Sequence, residues 1–115
     1  MKDNLIYIQH IMESIQKIEK YLQGLTKEQF FENDSIQDAV IRRFEIIGEA
    51  TKNLSKSFRN RYPEVPWRSM AGTRDVFIHE YFGIDLDFVW DAAKKDLPEL
   101  KKQLEEIIKT ENYSL

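Results

Sequence analysis

The 115-residue chain has no cysteine, which excludes a disulfide framework and any thiolate metal site. No apolar run approaches the ~20 residues that a membrane span needs, and the opening MKDNLIYIQH lacks a signal-peptide pattern. These absences make the cytoplasm the expected location. Only four glycines and three prolines interrupt the chain, and no alternating strand pattern is present. No Gly-rich phosphate loop, Ser-His-Asp order or zinc spacing occurs either. Histidine is scarce as well: His10 sits in an ordinary helical pattern, and the other is His79.

What remains is a helical text of a length that suits one domain, residues 1–115. Leu5, Ile8, Met12, Ile15 and Leu22 stand at helical spacing, widened by Ile11 and Ile18, and Gly24 ends this first helix. Ser35, with Asp38 three residues on, is the expected cap of a second helix. Its stripe of Ile36, Val40, Phe44, Ile47, Leu54 and Phe58 is accompanied by Ile41, Ile46 and Ala50 off the stripe. That excess suggests a partner surface, most simply a homodimer. Pro63 and Pro66 impose a loop over residues 59–68, with Trp67 as its anchor to the core and base stacking by Trp67 or Tyr62 as the alternative. A third helix is expected over about 69–81, ending before Gly83. Asp85 then caps a helix bearing Leu86, Val89, Trp90 and Ala93. Asp96-Leu97-Pro98-Glu99 reads as a fresh start, with a kink or break at Pro98, and the tail ENYSL is expected to fray. The fold class is all-α: an antiparallel four-helix bundle with a kinked or split C-terminal helix.

The formal net charge of −3 argues at first against nucleic acid. Yet residues 42–74 hold eight cationic side chains against Glu45, Glu49 and Glu64, a local +5 that leaves −8 elsewhere. The segment is a candidate phosphate-facing surface. Charge alone favours the simpler reading of a solvated helix face.

This basic segment leads into Arg74-Asp75-Val76-Phe77-Ile78-His79-Glu80-Tyr81. Arginine can stabilise an anionic phosphate, and histidine moves protons near neutral pH. Five steps of about 100° set Arg74 and His79 about 140° apart on a regular helix, so they do not share a face. They converge only if the helix distorts, if the arginine reaches around, or if two copies meet across a symmetric interface. Asp75, one turn before His79, could orient its imidazole or simply favour its helix through the dipole. The plain alternatives are a partly buried histidine near a helix C-terminus and, for Tyr81, a core or interface aromatic. Asp85, Asp87 and Asp91 lack the glycine and terminal glutamate of a calcium loop, so no metal is expected there.

The run RDVFIHEYFGIDLDFVW, preceded by VPWRSMAGTR and by RRFEIIGEATKNLS, resembles the HepT-like HEPN family over about residues 1–108. Its signature is Arg-x4-His-x-Tyr, usually with a polar residue after the arginine, and Arg74, Asp75, His79 and Tyr81 fit the four places. Ile47-Gly48-Glu49-Ala50 and Gly83-Ile84-Asp85 also look like family text. The resemblance implies a homodimeric HEPN-type bundle that cleaves RNA without a metal or other cofactor. It implies Arg74 and His79 as catalytic residues and Asp75 as supporting. It further implies a toxin beside a minimal nucleotidyltransferase antitoxin, silenced by transfer of AMP units to Tyr81. A non-catalytic module that binds a nucleotidyltransferase or nucleotide is the main competitor, and a structural helical oligomer the second. An adaptor needs neither Arg74 nor His79, and a structural oligomer leaves the basic segment unexplained.

Overall fold

A computed structural model describes the backbone of residues 2–79 and 85–112, and the side chains of residues 4–73 and 85–112. Helix α1, Lys2–Leu22, buries Ile8, Ile11, Ile15 and Ile18 completely or nearly so. Gly24 ends it at φ 76°, a left-handed conformation that a side chain would strain. Thr26 then forms a capping box with Gln29 and starts the short helix α2, Lys27–Phe31, which the apolar pattern does not announce. That turn delivers Phe30, fully buried, to within 5.4 Å of the Trp90 ring centroid.

Helix α3, Asp34–Asn53, begins two residues before the expected site. Asn33, not Ser35, is its cap, accepting from Ile36 N at 3.0 Å. Val40, Phe44, Ile47 and Ala50 form its buried face. The stripe running on to Phe58 is not one helix. Leu54 leaves the helix in an extended conformation, and Ser55 caps a separate helix α4, Lys56–Arg61, that brings Phe58 fully into the core. Asn4 pins this junction to the start of α1: its Oδ1 accepts from Ser55 N at 3.0 Å and its Nδ2 donates to Ser55 Oγ at 3.2 Å. The start of α1 therefore lies beside the end of α3, and the two run antiparallel.

Trp67 anchors the proline loop, as its position suggests. It is 6 % exposed, and its indole N–H donates to the carbonyls of Tyr62 and Arg59 at 2.9 and 3.2 Å. With its ring packed near Phe58, Trp67 is unavailable for base stacking. Tyr62 is also held, donating through its hydroxyl to Glu111. Glu111, the first residue of the expected frayed tail, also pairs with Arg61 at 3.2 Å and so ties the chain end back to α4; residues 113–115 lie outside the described residues. Helix α5, Trp67–His79, starts directly after Pro66, two residues earlier than expected, and packs mainly on α3.

Asp85 caps α6, Leu86–Asp91, accepting from Asp87 N and Phe88 N at 2.9 and 3.3 Å. Asp96 caps nothing. Its backbone is helical, and the chain runs from α6 through a π-helical turn, Ala92–Asp96, into α7, Leu97–Thr110. The wider turn is how the fold admits Pro98: Leu97 N reaches back to Ala92 O, and the ring meets a loosened helix in place of a tight one. Helix α7 closes the core with Leu97, Leu100, Leu104 and Ile107. The Lys101–Glu19 pair at 3.0 Å joins its start to the end of α1, making these two antiparallel as well. The result is an all-α, HEPN-type bundle. Among the described residues the most exposed large apolar side chains are Ile6, Phe31 and Phe88, none of them on α3, where Ile36, Ile41 and Ile46 are partly buried. The off-stripe Ala50 is buried, Ile41 packs against the core and Ile46 is half-buried.

Candidate functional site

Helix α5 carries Arg74, Asp75 and His79 on one unbroken α-helix through His79, which rules out a distortion between them. Their side chains, and the whole of Tyr81, Gly83 and Ile84, lie outside the described residues. The helix has a clear inner side, set by Trp67 and Met70, each 6 % exposed. Counting at about 100° per residue, position 74 returns to that inner register, within about 20–40° of positions 67 and 70. Position 79 does not. It falls within about 20° of Arg68, with Gly72 and Asp75 between them, so that positions 68, 72, 75 and 79 form one stripe. The same helix therefore places the arginine and histidine positions about 140° apart in register. The Arg-x4-His spacing does not reveal this second stripe; the 4-3-4 spacing from Arg68 to His79 is the signal that does.

The basic segment does not act as one surface. Arg61 is diverted to Glu111 and stacks over the Phe58 and Tyr62 rings. Lys56, Arg59 and Arg68 instead border a common open groove of about 660 Å³, with Asn60, Val65, Trp67 and Ala71 among its other walls and no carboxylate among its described lining. None of the three cations forms an ion pair among the described residues. Across α5 lies a second hollow of about 470 Å³. It is floored by Phe44, Ile47, Met70 and Leu100, edged by Glu64, Asp96 and Glu99, and bordered by Phe88, which is 54 % exposed.

The three aspartates of the rejected calcium pattern are dispersed. Asp85 is a cap, Asp87 pairs with Lys27 at 2.5 Å, and Asp91 pairs with Lys95 at 3.8 Å. Hydrogen bonding to Asp87 holds the Lys27 ammonium above the ordinary lysine range. Among the described residues no group of three or more histidine, aspartate or glutamate side chains is placed to hold a metal ion. His10 is exposed on α1, edge-on to Tyr7. Glu49 is exposed on α3, where its carbonyl accepts from Asn53. Among the described residues no helix is long and apolar enough to cross a membrane.

A small helical bundle whose α5 carries an arginine and a histidine five positions apart and starts at a basic groove has the residue types that phosphodiester chemistry uses. Comparison with known proteins makes this specific: residues 11–107 match the family model described as "Ribonuclease HepT-like", and the chain belongs to that family. It is 40% identical to a protein of Caldanaerobacter subterraneus subsp. tengcongensis named "Putative RNase", over 96% of this chain and 99% of that one. It is 44% identical to "Probable ribonuclease HepT" of Thermococcus cleftensis, over 90% and 94% of the two chains. A Methanocaldococcus jannaschii protein named "Gamma-glutamylcyclotransferase and putative RNase" is 49% identical over 96% of this chain, which spans only 52% of that longer relative. No solved structure matches the chain.

Proposed function

We propose that this protein is a metal-independent endoribonuclease that works as a homodimer, with Arg74 and His79 as its catalytic residues. The observation that carries the reading is the family match over residues 11–107, which spans the Arg74–His79 helix. Names of near full-length relatives as ribonucleases support the same activity.

RNA supplies its own nucleophile, so the protein needs to move protons and stabilise charge. The 2′ oxygen bonds to phosphorus as the bond from phosphorus to the 5′ oxygen breaks. One His79 imidazole takes the 2′ proton, and a protonated imidazole returns one to the departing 5′ oxygen. Arg74 stabilises the added negative charge on the phosphoryl oxygens. The register separation of positions 74 and 79 favours a cleft in which a second copy completes the set. The half-exposed Phe88 beside the apolar hollow supports association between copies. Asp75, one turn before His79, is suited to orient it.

Within this reading the protein is the toxin of a pair whose antitoxin is a minimal nucleotidyltransferase. AMP transferred to Tyr81 adds bulk and negative charge near the reacting phosphate and repels RNA. The test is incubation of the purified protein with total RNA, with and without chelator, alongside folded His79→Ala. Chelator-resistant cleavage that is absent from the variant supports the assignment. Cleavage by His79→Ala at the wild-type rate would remove it. Intact RNA together with tight binding of the nucleotidyltransferase would favour a non-catalytic module.

A further inference from the structure

We propose that Lys56, Arg59 and Arg68 form a phosphate-binding track for single-stranded RNA at the start of α5, on the stripe whose register runs through Gly72 to position 79. The inference rests on the ribonuclease reading and adds to it the surface that holds the substrate away from the reacting bond.

Three independent features support the track. The first is charge: in a chain of net charge −3, this groove gathers three cations and no carboxylate among its described lining. A nearby fourth cation shows that such clustering is not automatic, since Arg61 is consumed by Glu111 and by two aromatic rings. The second is unspent pairing capacity. Lys56, Arg59 and Arg68 form no ion pair among the described residues, so their charged groups are not spent on a carboxylate. The third is register. Arg68 lies at the groove and position 79 about 16 Å farther along the same stripe, a distance that takes more than one nucleotide to span. Between them, a Cβ built on Gly72 meets nothing within 4 Å, so this part of the stripe is open and not packed against a neighbouring element. The polymer fits better than a mononucleotide because the three cations are spread along an open groove and not gathered at one point. Trp67 lines the groove but is only 6 % exposed, so the surface reads backbone charge and leaves base identity unread.

The experiment measures binding of a fluorescent, single-stranded, 2′-O-methylated oligonucleotide, which lacks the attacking hydroxyl, across a series of salt concentrations. Cleavage of the unmodified strand is followed in parallel. The Lys56→Gln/Arg68→Gln double variant should bind roughly tenfold more weakly, with a salt slope shallower by about 1.4, or about 0.7 for each phosphate left without its cation. Arg61→Gln removes one charge outside the track and should bind within twofold of wild type. Gly72→Glu should fold at least as well, because it replaces a helical glycine where space is free, yet it should weaken binding and slow cleavage of the long strand. Circular dichroism and thermal midpoints confirm that each variant is folded. An unchanged slope in the double variant, an equal loss in Arg61→Gln, or no binding by wild type overturns the track. Wild type that binds through these residues but never cuts RNA keeps the track and removes the ribonuclease reading. Wild type that cuts RNA no faster than the double variant, with equal affinity, does the reverse.

Discussion

The two hollows that share Pro66 and Ser69 at the start of α5 are opposites. One is floored by Phe44, Ile47, Met70 and Leu100 and edged by three carboxylates. The other gathers Lys56, Arg59 and Arg68 with none. A phosphate chain is repelled by the first and attracted by the second, whereas an apolar protein surface is favoured by the first. One thirteen-residue helix can thus divide partner binding from substrate binding without any change of fold. The family signature spans this division, since position 74 follows the inner register and position 79 the stripe that starts at the basic groove.

The largest effect expected is on chemistry. Arg74→Ala and His79→Ala should each lower RNA cleavage by at least about 100-fold, within the range usual for removal of a proton-transfer or charge-stabilising group, while folding is unchanged. Measured rates close to wild type would mean that neither side of α5 holds the reaction. Next in size is the buried anchor that lines the basic groove. Trp67→Ala should cost about 3–5 kcal/mol in denaturant unfolding, as buried aromatic truncations do. Trp67→Phe keeps most of the ring but leaves the Arg59 and Tyr62 carbonyls without the indole donor, for a cost of about 1–3 kcal/mol. Equal costs for the two variants would show that the hydrogen bonds alone anchor the loop.

The apolar side is tested by association. Phe88→Ser removes the half-exposed ring at that hollow, so the protein should shift toward monomer in sedimentation at low concentration. Cleavage should fall in proportion to the fraction of dimer removed, and salt dependence of RNA binding per chain should stay the same. A monomer with full activity would break the link between the two sides.

Much of the local fold is legible in the sequence, and the parts that are not have identifiable causes. Gly24, Asp85 and Trp67 each behave as their chemistry predicts, because a glycine stop, an aspartate cap and an indole anchor act locally. The break at Leu54–Ser55 is hidden because Leu54 and Phe58 both remain buried across it, so the apolar period continues through a helix end. Asn33, Asp34 and Ser35 are all capable caps, and the choice of Asn33 depends on where α2 releases the chain. The grouping of Lys56, Arg59 and Arg68 without Arg61 depends on the Arg61–Glu111 pairing, which joins residues fifty positions apart. Spacing along one helix can reveal the stripe from Arg68 to His79, but not that Gly72 on it is open.

The smallest effect expected concerns Pro98, and it bears on how the apolar hollow keeps its shape. Ala92, Asp96 and Leu97, at the π-helical turn, form part of that hollow's wall. Pro98 offers no N–H to the Lys94 carbonyl, and its ring would crowd that carbonyl in a regular helix. Pro98→Ala removes the crowding and restores a donor, but it also gives the unfolded chain more freedom, a loss of about 0.4–1 kcal/mol. The two terms oppose each other, so stability should change by no more than about 1 kcal/mol in either direction. Amide exchange is the sharper measurement. If the proline is what holds the wide turn, the variant should show stronger protection at the amides neighbouring residue 98 as an ordinary α-helical turn forms, and Phe88-dependent association should weaken. If protection and association are both unchanged, the turn is set by the packing of Ala93 and Leu97 in the core, and the proline merely tolerates it.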